Sequence, residues 1–188
     1  ALLAATTAHA QPIPLIDTHS HLDHAGNLGN LEAALRAAVA DMERVGVRLS
    51  VLLPPPQVMS LRAVYECDAL QFAVRKHPGR IVLVGGGGTL NPMIQDTPPE
   101  AVDEDKRRRF RALAEQVLAC GARGFGEITA HHISHGRMGA QHPYEWVPPD
   151  HPLLLLLADI AAEKGLPIDL HVDLVPADMP RPDRPAFN

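Results

Sequence analysis

Two histidines near the start of the chain have the spacing of a metal site. Residues 15–22 begin with apolar side chains, and Asp17, His19 and His21 alternate with other residues in a pattern that predicts a buried strand. Residues two apart on a strand share a face, so both imidazoles point to one side. Imidazole nitrogen binds zinc and similar divalent ions. The pattern predicts half of a metal site, although a strand end with two solvated histidines has the same spacing.

Two further candidate ligands interrupt apolar segments later in the chain. Glu127 lies within the apolar segment 122–131, and His171 lies within 167–173. A buried carboxylate must be paired or bind a metal, because burial of a bare charge costs several kcal/mol. We favour a site for Glu127 over an ion pair with Arg123. For His171 alone, a core histidine held by a neighbouring carboxylate is the simpler interpretation.

The elements that carry these residues alternate along the chain. Apolar patterns predict strands at residues 15–22, 47–53, 81–84, 122–131 and 167–173, and helices at 31–45, 60–77, 99–120 and 153–164. Such alternation predicts an α/β fold with a parallel sheet and right-handed crossovers. Sites in these folds lie at the carboxyl ends of the strands, where the candidate ligands fall. We predict that Gly85–Gly88 form a strand tip and loop, and that the long loop 132–150 is functional.

Composition limits the classes of partner. The chain has 188 residues, of which 46% are hydrophobic and 21% charged, as expected for one globular domain. Its net charge of -5 disfavours a nucleic acid as the main partner, because phosphate binding requires a basic surface. No apolar run reaches the roughly 18 residues that predict a transmembrane helix. Cys67 and Cys120 lie in apolar helical patterns, which favour small buried thiols over a disulfide.

Both ends of the chain differ from its centre in composition. Residues 1–10 end in Ala8-His9-Ala10 and are interpreted as the remnant of a secretory signal peptide, with a disordered Ala-rich leader as the alternative. We therefore expect a soluble protein in the periplasm or outside the cell. Residues 11–188 are predicted to form one domain, whose end is rich in proline.

Taken together, the candidate residues resemble the amidohydrolase superfamily of metal-dependent (β/α)8-barrel hydrolases. The segment Asp17-Thr18-His19-Ser20-His21 resembles the first-strand motif shared by its TatD-like deoxyribonucleases and its amidohydrolase-related branch. Gly126-Glu127-Ile128 resembles the fourth-strand segment that supplies a bridging carboxylate in the TatD-like group, and Pro167-Ile168-Asp169-Leu170-His171 is similar to the fifth-strand segment of both. The long loop and the proline-rich end look more like the amidohydrolase-related branch.

The resemblance implies a TIM barrel, of which this chain would supply about five βα units as the N-terminal part. His19, His21 and His171 would bind a divalent metal, expected to be zinc, and Glu127 would join them if two ions are bound. The metal-activated water would hydrolyse an amide or ester-type bond of a small-molecule substrate, with Glu127 and His171 as catalytic residues and Asp17 orienting an imidazole. The family's sixth-strand histidine and eighth-strand aspartate have no counterpart, so we expect the chain as given to be inactive.

Three other functions are compatible with these residues. A metal-dependent decarboxylase of the same branch would use the same ligands. A TatD-like nuclease is disfavoured by the acidic charge, by the absence of a basic patch and by the export signal. A non-enzymatic zinc-binding protein would need the histidines but not Glu127. The sequence predicts no oligomeric state.

Overall fold

The computed structural model describes residues 13–22, 30–57, 66–133 and 144–175, and shows an α/β fold. The strands are β1 Leu15–Ser20, β2 Val47–Leu52, β3 Ile81–Leu83, β4 Gly85–Gly86, β5 Phe125–His132, β6 Glu145–Trp146 and β7 Ile168–Val172. The helices are α1 Leu31–Val45, α2 Gln71–Lys76, α3 Leu90–Gln95, α4 Glu104–Ala119 and α5 Pro152–Lys164, and short 3-10 turns occur at Cys67–Leu70 and Pro99–Ala101.

The long strands lie side by side in the order in which they occur in the chain. β1, β2 and β3 form a parallel sheet, while β4, β5 and β7 are parallel in a second sheet to which the short β6 adds an antiparallel pair. Only Val84 separates β3 from β4, and its amide donates to the Leu52 carbonyl at 2.9 Å. The two sheets are therefore joined along one stretch of chain, and the carboxyl ends of the parallel strands face one side.

This succession of strands is strongly curved. In a flat sheet, β1 and β7 would be about 19 Å apart, four spacings of about 4.8 Å. Yet the His19 ring on β1 lies 3.2 Å from the Asp169 carboxylate on β7. The described strands nevertheless do not close into a barrel, since β1 pairs only with β2 among them.

Most predicted elements are confirmed. Helix α1 occupies the predicted residues, with the Asn30 side chain accepting from the Ala33 amide and Gly46 ending the helix in a left-handed conformation. Gly85 and Gly86 form the short strand β4 with a turn after it, which confirms the predicted strand tip and loop. Three details differ. α3 was not predicted because six residues show too little periodicity, and the predicted helix 99–120 is divided into a 3-10 turn and α4. The predicted helix 60–77 falls partly outside the described residues, and its described part is a 3-10 turn followed by α2.

Apolar side chains cover the sheets in two clusters. Phe110, Leu157 and Ile160 belong to a cluster that packs α4 and α5 against β5. Leu35 and Leu70 belong to a second cluster that packs α1 and the 3-10 turn against β2 and β3. All five side chains are almost fully buried. No helix in the described ranges is long and apolar enough to span a bilayer.

The cysteine prediction was wrong, because Cys67 and Cys120 form a disulfide. The first lies at the start of a 3-10 turn and the second at the end of α4, with their Cα atoms 6.4 Å apart. The two cysteines are 53 residues apart in the sequence, so their positions in the chain did not indicate that they meet in the fold. Next to the bond, the half-buried Glu66 carboxylate accepts hydrogen bonds from the Gly86 amide and the Thr89 hydroxyl. The disulfide and Glu66 thus fix the segment before α2 to β4 and to α4.

We expect the disulfide to contribute measurably to stability. Closing a loop of this length restricts the unfolded chain, so replacing both cysteines by serine should lower the free energy of unfolding by about 2–4 kcal/mol in urea denaturation. Reductant should destabilise the wild-type protein by a similar amount and leave the double variant unchanged. Free thiols in the oxidised, folded protein would contradict the assignment.

Candidate metal centre

Three of the predicted ligands converge beside the carboxyl end of β1. His19 lies near the end of β1, His21 directly after it, and Glu127 in β5. The Nε2 atoms of His19 and His21 are 3.1 Å apart, and both approach Oε2 of Glu127, at 3.6 Å and 3.1 Å. The three donor atoms belong to a group of metal-type ligands that all lie within 4.8 Å of one another.

The other nitrogen of each imidazole, Nδ1, already makes a hydrogen bond within the protein. Nδ1 of His21 lies 2.8 Å from the Leu53 main-chain carbonyl, and Nδ1 of His19 lies 3.2 Å from the Asp169 carboxylate. Both partners are acceptors, so each Nδ1 carries the hydrogen. In the neutral imidazoles the two Nε2 atoms then have bare lone pairs, and these face each other and the Glu127 oxygen.

Three electron-rich atoms in van der Waals contact repel one another unless a cation lies between them. Ligands on a tetrahedral zinc ion with bonds of about 2.0–2.1 Å are about 3.3 Å apart. The observed separations of 3.1, 3.1 and 3.6 Å bracket this value. Two imidazoles and one carboxylate also match the donor types that zinc uses at catalytic sites. The residues present therefore fit a divalent transition metal.

Glu127 is held as a carboxylate by the histidines around it. Its side chain is only 3% exposed, and its Oε1 accepts from Nδ1 of His171 at 2.5 Å. Burial raises the pKa of this carboxyl. In the metal-free protein, hydrogen bonds from His171 and from the protonated form of His21, together with the positive charge of both rings, outweigh burial and lower the pKa to about 2. The alternative of an ion pair with Arg123 is not observed, since the ion-pair partners found for Glu127 in the described segments are histidines.

His171, the fourth predicted ligand, contacts the other oxygen of Glu127 instead of the His19–His21 pair. The hydrogen bond to Glu127 raises its pKa more than burial lowers it. Its Nε2 points away from Glu127, toward Asp173 at 3.3 Å, and belongs to a second group of metal-type ligands. Glu127 therefore stands between the first group and His171.

Close packing of β5 on β7 places Asp169 beside His19. A Cβ atom added to Gly126 would lie 2.7 Å from Cβ of Asp169, and Gly126 has a φ of +150° that other residues rarely adopt. Glycine at this position therefore lets Asp169 approach β5. Asp169 in turn fixes the hydrogen on Nδ1 of His19, as carboxylates do behind metal-bound histidines.

Two orienting groups differ from the sequence prediction. Asp17 was expected to hold an imidazole, but its carboxylate accepts from the His19 main-chain amide at 3.2 Å, within its own strand. Asp169 and the Leu53 carbonyl orient the rings instead. Asp169 lies two residues before His171 on β7, and the two side chains therefore share a face of the strand. This spacing is the sequence feature that could have predicted a role for Asp169 in the site. The role of the Leu53 carbonyl could not be predicted, because every residue has a main-chain carbonyl whatever its side chain.

Other polar residues near the predicted loop have separate roles. His151 is a structural histidine, because its Nδ1 accepts from the Leu153 amide and its Nε2 donates to the Thr97 carbonyl. Burial raises the pKa of Glu145, on β6, to about 7. His24, His135 and His142 lie outside the described residues.

Comparison with known proteins adds no relative. No protein-family model matches the chain, and no curated protein matches it significantly. The function must therefore be argued from the geometry of the site.

The low pKa of Glu127 predicts a specific acid sensitivity in metal-free protein. Because the pKa of Glu127 is about 2 in the fold against 4.5 for an unperturbed glutamate, the stabilisation is complete above pH 4.5 and is lost as pH falls toward 2. Between pH 6 and pH 3, we expect wild type to lose about 2 kcal/mol more unfolding free energy than Glu127→Gln, measured by urea denaturation. Parallel losses in both proteins would show that Glu127 is not held by the histidines.

Proposed function

We propose that the protein is a metal-dependent hydrolase that cleaves an amide or ester-type bond of a small molecule. The observation that carries this proposal is the convergence of His19 Nε2, His21 Nε2 and Glu127 Oε2, with both Nδ1 atoms already bonded to acceptors. A structural zinc site uses four protein ligands, whereas a catalytic site keeps a position open. Three converging ligands, two of them partly exposed, favour the catalytic type.

The family we propose is the amidohydrolase superfamily, with a (β/α)8 barrel. Parallel strands that follow chain order, separated by helices, are the units of such a barrel. The curvature that brings the His19 ring to Asp169 across the strands supports it further. His19 and His21 also lie at the carboxyl end of β1, the end at which barrel enzymes place their sites.

Each residue of the site has a defined part in this chemistry. When bound, a zinc ion lowers the pKa of a coordinated water toward about 7 and polarises the scissile carbonyl. His19 and His21 bind through Nε2, and the Asp169 carboxylate and the Leu53 carbonyl hold their rings in the required tautomer. Glu127 presents Oε2 to the metal position, while its Oε1 accepts a hydrogen bond from Nδ1 of His171.

The composition and the disulfide support the remaining expectations. A net charge of -5 favours a small-molecule substrate over a nucleic acid. The Cys67–Cys120 bond is of a kind that persists in oxidising compartments, which supports a periplasmic or secreted location. Residues 1–10, interpreted as a signal remnant, lie outside the described residues.

The proposal is tested by metal content and by hydrolysis. Protein expressed from the whole of its reading frame should release nitrophenol or nitroaniline from 4-nitrophenyl acetate or 4-nitroacetanilide when loaded with zinc. His19→Ala combined with His21→Ala should remove zinc from this site and abolish activity. Glu127→Gln should keep the fold but lower kcat/KM by at least about 100-fold, because the amide is a far weaker ligand than the carboxylate.

Glu163→Gln is the matched control. This exposed carboxylate lies on helix α5 and pairs with Arg111, and it contacts none of the three proposed ligands. It should leave both metal content and kcat/KM unchanged. Hydrolysis that survives a chelator would contradict the proposal. So would a Glu127→Gln variant that loses stability but retains its zinc and its activity.

A further inference from the structure

The short helix α3 carries two pairs of side chains that contact different parts of the fold. Leu90 and Ile94 are almost fully buried and belong to the apolar cluster that packs α4 and α5 against β5. Asn91 and Gln95 follow them by one position and share another side of the helix. Asn91 is also fully buried, and an amide in that position is costly unless it is hydrogen-bonded. The hydrogen bonds of Asn91 therefore show which parts of the fold it joins.

The two amide side chains bond β5 where its pairing with β4 has ended. β4 consists of two residues and pairs with the first two residues of β5. Further along β5, Oδ1 of Asn91 accepts from the Thr129 amide at 2.8 Å, and Nε2 of Gln95 donates to the Thr129 carbonyl at 2.8 Å. Side chains of α3 thus take the place of a strand neighbour, two residues beyond Glu127.

A segment that follows β2 contacts two of the proposed ligands. Residues 53–57 include three consecutive prolines and are called the proline segment. The Leu53 carbonyl accepts from Nδ1 of His21 at 2.8 Å, and the Pro54 carbonyl accepts from the Glu127 main-chain amide at 3.3 Å. The position of the proline segment against β5 therefore determines how far the His21 ring lies from Glu127.

Asn91 bonds the other end of the proline segment. Its Nδ2 donates to the Gln57 carbonyl at 3.2 Å, and the Gln57 amide donates to the Gly87 carbonyl at 2.8 Å. Because each proline ring fixes φ, the backbone between the Leu53 and Gln57 carbonyls has little freedom. A bond at Gln57 therefore also restrains the carbonyl that holds His21.

We propose that Asn91 is a positioning residue of the candidate metal centre. Its side chain joins the proline segment, which holds the His21 ring, to β5, which carries Glu127. Without this link the proline segment can move away from β5, and Nε2 of His21 and Oε2 of Glu127, 3.1 Å apart, lose the spacing of ligands on one ion. The inference rests on the metal centre of the proposed function, but it does not require hydrolysis.

The positioning role is tested in the whole protein by zinc affinity and by the absorption spectrum of its cobalt(II) form. Asn91→Ala should weaken zinc binding by about 10-fold in competition with a chelating dye, because it removes support behind the ligands. The visible bands of bound cobalt(II) should also shift, since they depend on the geometry of the ligands. Pro55→Gly frees the same segment and should change both readouts in the same direction. It decides the question if Asn91→Ala fails to fold, as judged by circular dichroism.

Gln95→Ala is the matched control. It removes a hydrogen bond between the same helix and Thr129 but leaves the bond from Asn91 to the proline segment. The control should lower the free energy of unfolding in urea, as Asn91→Ala does, while its zinc affinity and cobalt(II) spectrum remain those of the wild type. Wild-type affinity and spectrum in Asn91→Ala, or an equal loss of affinity in Gln95→Ala, would overturn the positioning role.

Failure of this inference is distinguishable from failure of the proposed function. Zinc binding that depends on Asn91, in a protein that cleaves neither 4-nitrophenyl acetate nor 4-nitroacetanilide, would support the positioning role and contradict the hydrolase. Hydrolysis and zinc affinity that both survive Asn91→Ala and Pro55→Gly would support the hydrolase and overturn the positioning role. A wild-type protein that binds no zinc through His19 and His21 would overturn both.

Discussion

The structure of the site depends on the repulsion between three lone-pair-bearing atoms that the fold forces together. Nε2 of His19, Nε2 of His21 and Oε2 of Glu127 lie 3.1 to 3.6 Å apart. Neither imidazole can relieve the repulsion by moving its hydrogen to Nε2 without losing the bond that Nδ1 makes. A proton or a metal ion must therefore occupy the space between them, and metal binding there displaces protons.

The parallel sheet supplies the force that holds these atoms together. His19 and His21 lie at the carboxyl end of β1, and Glu127 lies inside β5. Because β1 is paired with β2 and β5 with β7, the ligands cannot separate without disturbing these pairs of strands. Curvature brings Asp169 on β7 to His19 on β1, and the close approach of Gly126 allows it. The apolar clusters beneath the helices hold this curvature, because burial of their side chains favours the compact arrangement.

Much of this arrangement could be predicted from the sequence, and the missing parts share a physical cause. The alternation of Asp17, His19 and His21 and the lone acid of an apolar strand, Glu127, indicated ligands because local pattern determines which face a side chain occupies. The sequence did not show that Asp169 meets His19, or that Cys67 meets Cys120, because these contacts depend on how distant elements pack. The position of His171 shows the same limit: its strand was predicted, but not that its ring turns Nε2 toward Asp173.

The most direct test of the central claim is to locate the metal itself. Crystals of the protein grown with zinc, measured on both sides of the zinc absorption edge, give an anomalous difference map that shows only the ion. We expect a peak about 2.0–2.1 Å from Nε2 of His19, Nε2 of His21 and Oε2 of Glu127. Zinc bound elsewhere, with these three atoms joined by shared protons alone, would contradict the account.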